Sequence, residues 1–254
     1  MNTISSSLVL GQRALREALR TPDALIPTLF IPLFFLVVNV GQAARIFPSD
    51  DTTFLFGQNY AAFQLPSSLL LAASFSSAAL YLVEEIEGGY FDKLRATPVA
   101  RTAIVTGRLY AEVVKVAVIA AVMIVIAMPF GVRVASGPAG FVVLVMMIAL
   151  WAMVFSGWMQ LIALKTRSAA ATQSGSLVFF PLLFLTPNFV PRELLTRPME
   201  IAATFNPVTY IMEAARSLIL EGFDWDQLGR GFGVIALAGV AMIALSVRLM
   251  NSYD

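Results

Sequence analysis

A chain of 254 residues that is 58% hydrophobic and only 13% charged, with mean hydropathy +0.80, carries more apolar surface than one soluble core hides, ordinary soluble domains being about 25% charged. The net charge of +1 singles out no nucleic acid or other strongly charged partner, and the lack of Cys and His excludes disulfides, thiolate chemistry, imidazole metal sites and any Ser-His mechanism, whatever Ser174-Gly175-Ser176 suggests. The length suits one transmembrane domain over residues 1–254, with no room for a nucleotide-binding domain beside it.

At the N-terminus there is no basic segment leading into an apolar run, so no cleavable signal is expected. Ile4, Leu8, Gly11, Leu15, Ala18 and Leu19 recur at helical spacing, with Gln12, Arg13, Arg16, Glu17 and Arg20 on the other face. This predicts a helix lying in the membrane interface, the alternative being a solvated cytoplasmic helix. Thr21-Pro22-Asp23 then reads as a cap, a proline at the first helical position and an acidic first turn.

Six apolar stretches follow, at 24–44, 60–83, 109–130, 139–164, 169–190 and 232–250. Crossing about 30 Å of hydrocarbon takes roughly 20 helical residues, and each stretch approaches that length. The expected fold is an all-α membrane protein with six transmembrane helices. Arg13, Arg16, Arg20, Lys93, Arg95, Arg101, Arg108, Lys165, Arg167 and Arg248 fall on the N-terminal side of this topology, against Arg45, Arg133, Arg192, Arg197, Arg216 and Arg230 on the other. The excess places both termini in the cytoplasm. Pro22, Pro98, Pro138, Pro191, Pro198 and Pro207 stand at expected helix starts; Pro27, Pro32, Pro66 and Pro181 fall inside spans and are candidate kinks. No charge lies near the centre of a span; Glu112 and Lys115, three apart at the inner end of the third, are expected to pair and reach the interface.

Between spans two and three runs EIEGGYFDKLRATPVAR, residues 85–101. Gly88-Gly89 ends one helix, Tyr90, Phe91 and Leu94 form a small apolar ridge, and Thr97-Pro98 starts the next helix. A short helix with an aromatic ridge among mixed charges suits a groove in another protein; a plain solvated hairpin is the alternative. Between spans five and six, Asn206-Pro207 divides an apolar run into two short helices that can enter the outer leaflet and return, a re-entrant pair tolerated only where protein or a cavity surrounds it. Glu213 and Arg216 are spaced to pair on the second of them.

These two segments resemble the type-2 ABC exporter permeases, and most of all their daunorubicin-resistance-like drug exporter branch. Residues 85–101 are similar to the family's coupling segment, an acidic residue, Gly, an aromatic, then Leu and basic residues before Pro-x-x-Arg. FNPVTYIMEAARSLILEG, residues 205–222, is similar to its Asn-Pro…Glu/Asp-Ala-x-Arg signature. A departure is the doubled glycine after Glu87, where the family more often has one. The resemblance spans essentially the whole chain. It implies two permease subunits, identical or homologous, with two ATP-binding subunits in a prokaryotic plasma membrane, and ATP and magnesium bound by the partner rather than by this chain. The chain itself has no phosphate-cradling Gly-rich loop followed by Lys-Ser/Thr, as expected of a transport subunit that is not an enzyme.

By that resemblance a cytoplasmic coupling helix would present Glu87, Gly89, Tyr90, Phe91, Lys93, Leu94 and Arg95 to the ATPase. Asn206, Pro207, Glu213 and Arg216 would build the outer helix pair. The cargo path would be lined by spans one, two and five, which offer Phe30, Phe34 and Asn39, Phe63, Gln64, Phe75 and Ser76, and Phe179, Phe180, Phe184 and Asn188. Aromatic and weakly polar surfaces suit a hydrophobic or amphiphilic compound such as a drug, antibiotic or lipid. Export of polysaccharide or lipid-linked glycan is the alternative within the family. An ATP-independent secondary transporter is disfavoured by the uncharged midplane, and a membrane assembly factor remains a third class.

Overall fold

The computed structural model describes residues 11, 12, 16, 22–75, 78–90, 93 and 101–251, and among them every regular element is helical. The expected N-terminal interfacial helix falls almost wholly outside these residues. Among the described residues ten α-helices follow one another: α1 (Pro22–Ala43), α2 (Tyr60–Ser74), α3 (Ala78–Glu87), α4 (Arg101–Ala127), α5 (Gly137–Thr166), α6 (Ala169–Ser176), α7 (Phe179–Phe184), α8 (Arg197–Phe205), α9 (Pro207–Leu220) and α10 (Trp225–Asn251). Four segments among the described residues are long and apolar enough to cross a bilayer, Ile26–Ala43, Thr106–Phe130, Gly137–Thr166 and Trp225–Leu249, overlapping the first, third, fourth and sixth expected spans.

The other two expected spans are not single helices. The second stops at Ser74: Phe75 leaves the helical region at φ −86°, ψ 61°, within a Ser-rich stretch whose hydroxyls compete for the backbone, and α3 begins afresh at Ala78. In the fifth, α6 ends at Ser176 and α7 covers only Phe179–Phe184. Pro181 has no N–H to bond the Leu177 carbonyl, and the regular ladder lapses at Leu177 and Val178 while their dihedrals stay helical, so the expected kink separates α6 from α7. Pro187 then disfavours helix at Thr186, and residues 185–191 run as irregular chain. By contrast, α1 continues through Pro27 and Pro32, and α2 through Pro66.

The centre of the bundle is α5, which packs on α4, α10, α2, α6, α3 and α9. Close approach of α9, α10 and α5 depends on Gly231, where an added Cβ would stand 2.8 Å from the Ala214 Cβ. All of α2 is buried, Gln64, Ser67, Ser68 and Ser74 included. Glu112 and Lys115 are buried as well, their carboxylate and ammonium 2.8 Å apart with 3% of each side chain exposed. The expected reach to the interface does not occur, because neighbouring helices cover this face of α4.

One end of the bundle, the end that the charge distribution leads one to expect outside, gathers 44–59, 128–136 and 185–224. Asn59 Nδ2 donates to the Phe130 carbonyl, Gln58 Nε2 to that of Ile219, and the Ala135 and Ser136 amides to those of Ile219 and Leu218.

Candidate functional site

At that end two short helices meet at Asn206. Its extended backbone lets Oδ1 accept from the Val208 N–H at 3.0 Å, Pro207 supplies the first helical residue without needing a donor, and Nδ2 donates back to the Leu182 carbonyl of α7. The predicted division is thus present, and the same residue that starts α9 fastens it to the fifth apolar stretch. Val208, Ile211, Met212, Ala215 and Ile219 form one fully buried face. Thr209 and Arg216, on another face, are buried too, because α10, α2 and α5 all press on α9.

Arg216 is 6% exposed and does not pair with Glu213. Its Nε donates to the Phe63 carbonyl at 3.1 Å, Nη2 to Asn188 O at 2.9 Å and Nη1 to Pro187 O, while its guanidinium carbon lies 3.7 Å from the centroid of the Phe63 ring. The spacing of Glu213 and Arg216 permits a pair, but the irregular chain at 187–188 offers carbonyls that no helix satisfies, and a planar fork of donors fits them. Glu213 turns instead to Arg192, with Nε–Oε1 at 3.0 Å and Nη2–Oε2 at 2.9 Å, a bidentate contact across 21 residues that no local pattern announces.

Above this seal lies an open cleft of about 540 Å³ whose wall includes Arg192, Glu193, Glu213, Glu221, Asp224 and Arg230, with Phe63 and Arg216 also facing it. Partial burial, and then the neighbouring Asp224, push the Glu221 carboxyl up from its ordinary range.

The residues proposed to line a path are placed in two groups. Phe30 and Phe34 stack with centroids 6.0 Å apart on the exposed side of α1, and Phe180 and Phe184 are also exposed. Asn39, Phe63, Gln64, Phe179 and Asn188 are buried, Phe179 edge-on to Phe155, and Phe75 marks the break after α2. Phe35, Phe184 and Phe189 form a chain of rings at 6.3 Å spacings, and Tyr60 Oη donates to the Phe189 carbonyl at 2.9 Å. Tyr60, Phe35 and Phe189 were not singled out in the sequence; the i, i+4 spacing of Tyr60 and Gln64 was the available signal. Ser76 lies outside the described residues.

At the other end α3 stops where Gly88-Gly89 predicts. The Gly88 amide bonds Glu84 O at 2.8 Å, the Gly89 amide bonds Ile86 O, and Gly89 takes φ +70°, a conformation cheap only for glycine. Tyr90 and Lys93 are exposed just beyond; Phe91, Leu94 and Arg95 lie outside the described residues. Glu85, a turn before, forms an ion pair with Arg108 of α4, so the helix entering this segment is joined to the one leaving it.

The model of the ABC-2 type transporter family matches residues 6–220, a range that takes in both the 85–101 segment and the whole of the α8–α9 pair. A daunorubicin resistance ABC transporter permease protein of Streptomyces coeruleorubidus is 25% identical over 252 residues, 97% of this chain and 84% of that protein.

Proposed function

This chain belongs to the ABC-2 type transporter family as a membrane permease subunit, and we propose that it exports a hydrophobic or amphiphilic compound of the drug class from the cytoplasm or inner leaflet, driven by ATP hydrolysis in separate subunits. The observation that carries this is the family match from residue 6 to residue 220, reinforced by similarity to a daunorubicin resistance permease over nearly the whole chain. The aromatic surfaces of α1 and α7 agree with such cargo.

In the proposed assembly the single permease domain has six crossings, the second built from α2 and α3 and the fifth from α6, α7 and the irregular chain after them. Both termini face the cytoplasm of a prokaryotic cell. Two ATP-binding subunits grip Glu87 to Arg95 of each of two permeases, identical or homologous, with Tyr90, Phe91 and Leu94 as apolar contact and Lys93 and Arg95 at the rim. The Glu85–Arg108 pair carries their motion into α4, and the helices tilt between inward- and outward-open states. The α8–α9 pair closes the outer end.

The test is to co-express the chain with its ATP-binding subunit, reconstitute the purified complex in liposomes and follow daunorubicin. Accumulation that requires ATP and is lost when the ATPase cannot hydrolyse supports the function. ATP-dependent movement of a lipid-linked glycan with none of daunorubicin would replace it by the glycan alternative.

A further inference from the structure

Three neutral amide side chains, two of them in contact with each other and the third on the helix packed against α2, lie buried with hydrogen-bonding groups unused. Gln64 Nε2 donates to Asn188 Oδ1 across a long 3.5 Å, while Gln64 Oε1, Asn188 Nδ2 and Asn39 Nδ2 have no hydrogen-bond partner. Whichever way the Gln64 and Asn188 amides are turned, one bond between them leaves one carbonyl and one NH2 over. Asn39 is one turn before the end of α1 at Ala43 and Gln64 one turn after the start of α2 at Tyr60. The two helices pack together, and the segment joining them folds back so that Phe47 stacks on Tyr60 with centroids 5.4 Å apart. Asn39 also continues the buried stripe of Pro32 and Leu36 on α1.

A buried polar group without a partner costs about 1–3 kcal/mol, and native proteins keep few of them. The Gln64–Asn188 pair, with Asn39 on the helix packed against α2 and all three within the apolar stretches, calls for a partner that comes and goes. We infer that Asn39, Gln64 and Asn188 form a hydrogen-bonding station for a neutral donor–acceptor group, a hydroxyl, ketone or amide, on an aromatic amphiphilic cargo, an inference that rests on the exporter function proposed above.

The surroundings fix the class of ligand. The leftover groups are two donors and one acceptor, all uncharged. Arg216, which bonds the Asn188 carbonyl, has each of its three nitrogens committed to a backbone oxygen, so it offers a cargo anion little. The rings of Phe35, Phe184 and Phe189 lead toward the amides from the surface, Phe184 and Phe189 being 43% and 41% exposed. The amides themselves are closed off in this conformation, between 0% and 7% exposed. They become reachable when the irregular chain at 185–191, held by Tyr60 and Arg216 rather than by helical hydrogen bonds, moves away from α2.

The test uses the complete complex with its ATPase in proteoliposomes and two probes sharing a ring system, pyrenebutanamide and the hydrocarbon butylpyrene. Stimulation of ATP hydrolysis is measured against probe concentration for wild type, for Gln64→Leu/Asn188→Leu and for Asn39→Leu. Removing both amides of the pair together leaves no stranded partner, so the melting temperature stays at or above that of wild type. The expected result is a rise of about three- to tenfold in the half-maximal concentration of pyrenebutanamide, the value of one hydrogen bond, with butylpyrene unchanged. Equal shifts for both probes, or none for either, overturn the station while leaving the exporter function intact. Failure of the wild-type complex to move either probe or daunorubicin with ATP overturns that function itself, and the station with it.

Discussion

Arg216 lies over the ring of Phe63 and at the same time donates to that residue's own carbonyl at 3.1 Å, so one side chain of α9 holds both the face and the backbone of α2. Its other two nitrogens reach Pro187 and Asn188. Three pieces of chain far apart in sequence are thereby joined at one end of the bundle.

Arg216→Met strands three carbonyls in a buried setting, at about 1–3 kcal/mol each, and a loss on the order of 3 kcal/mol or more is expected in thermal unfolding of the purified complex. Arg216→Lys keeps the charge but lacks the fork, and an intermediate melting temperature is expected. If Arg216→Met melts with wild type, the anchoring role is wrong.

The Arg192–Glu213 contact is bidentate and about a quarter exposed on each side, which sets its strength near 1 kcal/mol after screening. A double-mutant cycle with Arg192→Ala and Glu213→Ala measures it; coupling of about 1 kcal/mol that weakens with salt is expected. The exchange Arg192→Glu/Glu213→Arg recovers much of what either single reversal loses.

Asn206 has two tasks that substitution separates. Asn206→Ser keeps the cap on Val208 but is too short to donate to Leu182; Asn206→Ala loses both. Capping alone is worth about 1 kcal/mol, so Asn206→Ala is expected to destabilise more than Asn206→Ser, and circular dichroism melts of the two variants give the order. A reversed order rejects the assignment.

Burial of Glu112 and Lys115 predicts an asymmetry. Lys115→Met alone leaves a buried carboxylate and costs about 3–5 kcal/mol, whereas Glu112→Leu/Lys115→Met is near neutral or stabilising. Membrane abundance and melting temperature of the single and double variants check it.

Hydropathy marked four of the helices, because a long apolar run in a helix needs nothing but its own backbone bonds, but α4 begins at Arg101 and α10 at Trp225, well before the apolar runs at 109 and 232, since their first turns carry charge. Local chemistry was equally legible at Asn206-Pro207 and at Gly88-Gly89, where cap and left-handed turn depend on neighbouring residues alone. The breaks at Phe75 and after Phe184 were hidden, since a hydropathy window averages over the residues that interrupt it; the Ser cluster at 74–77 and Thr186-Pro187 were the signals to weigh. The partners of Arg216 and Glu213 were beyond reach for another reason. Spacing announces a contact three residues away, but not Pro187 or Arg192, which the fold brings up from 29 and 21 residues earlier. The covering of Glu112 and Lys115 failed in the same way, being decided by other helices.

The most direct measurement of the central claim is daunorubicin transport by the reconstituted chain with and without its ATP-binding subunit. ATP-dependent accumulation is expected with the partner and none without it, and hydrolysis is expected to uncouple from transport in an assembled complex carrying Leu94→Asp. Transport at full rate by this chain alone, or undiminished coupling in the Leu94→Asp complex, would contradict a permease driven through residues 85–101.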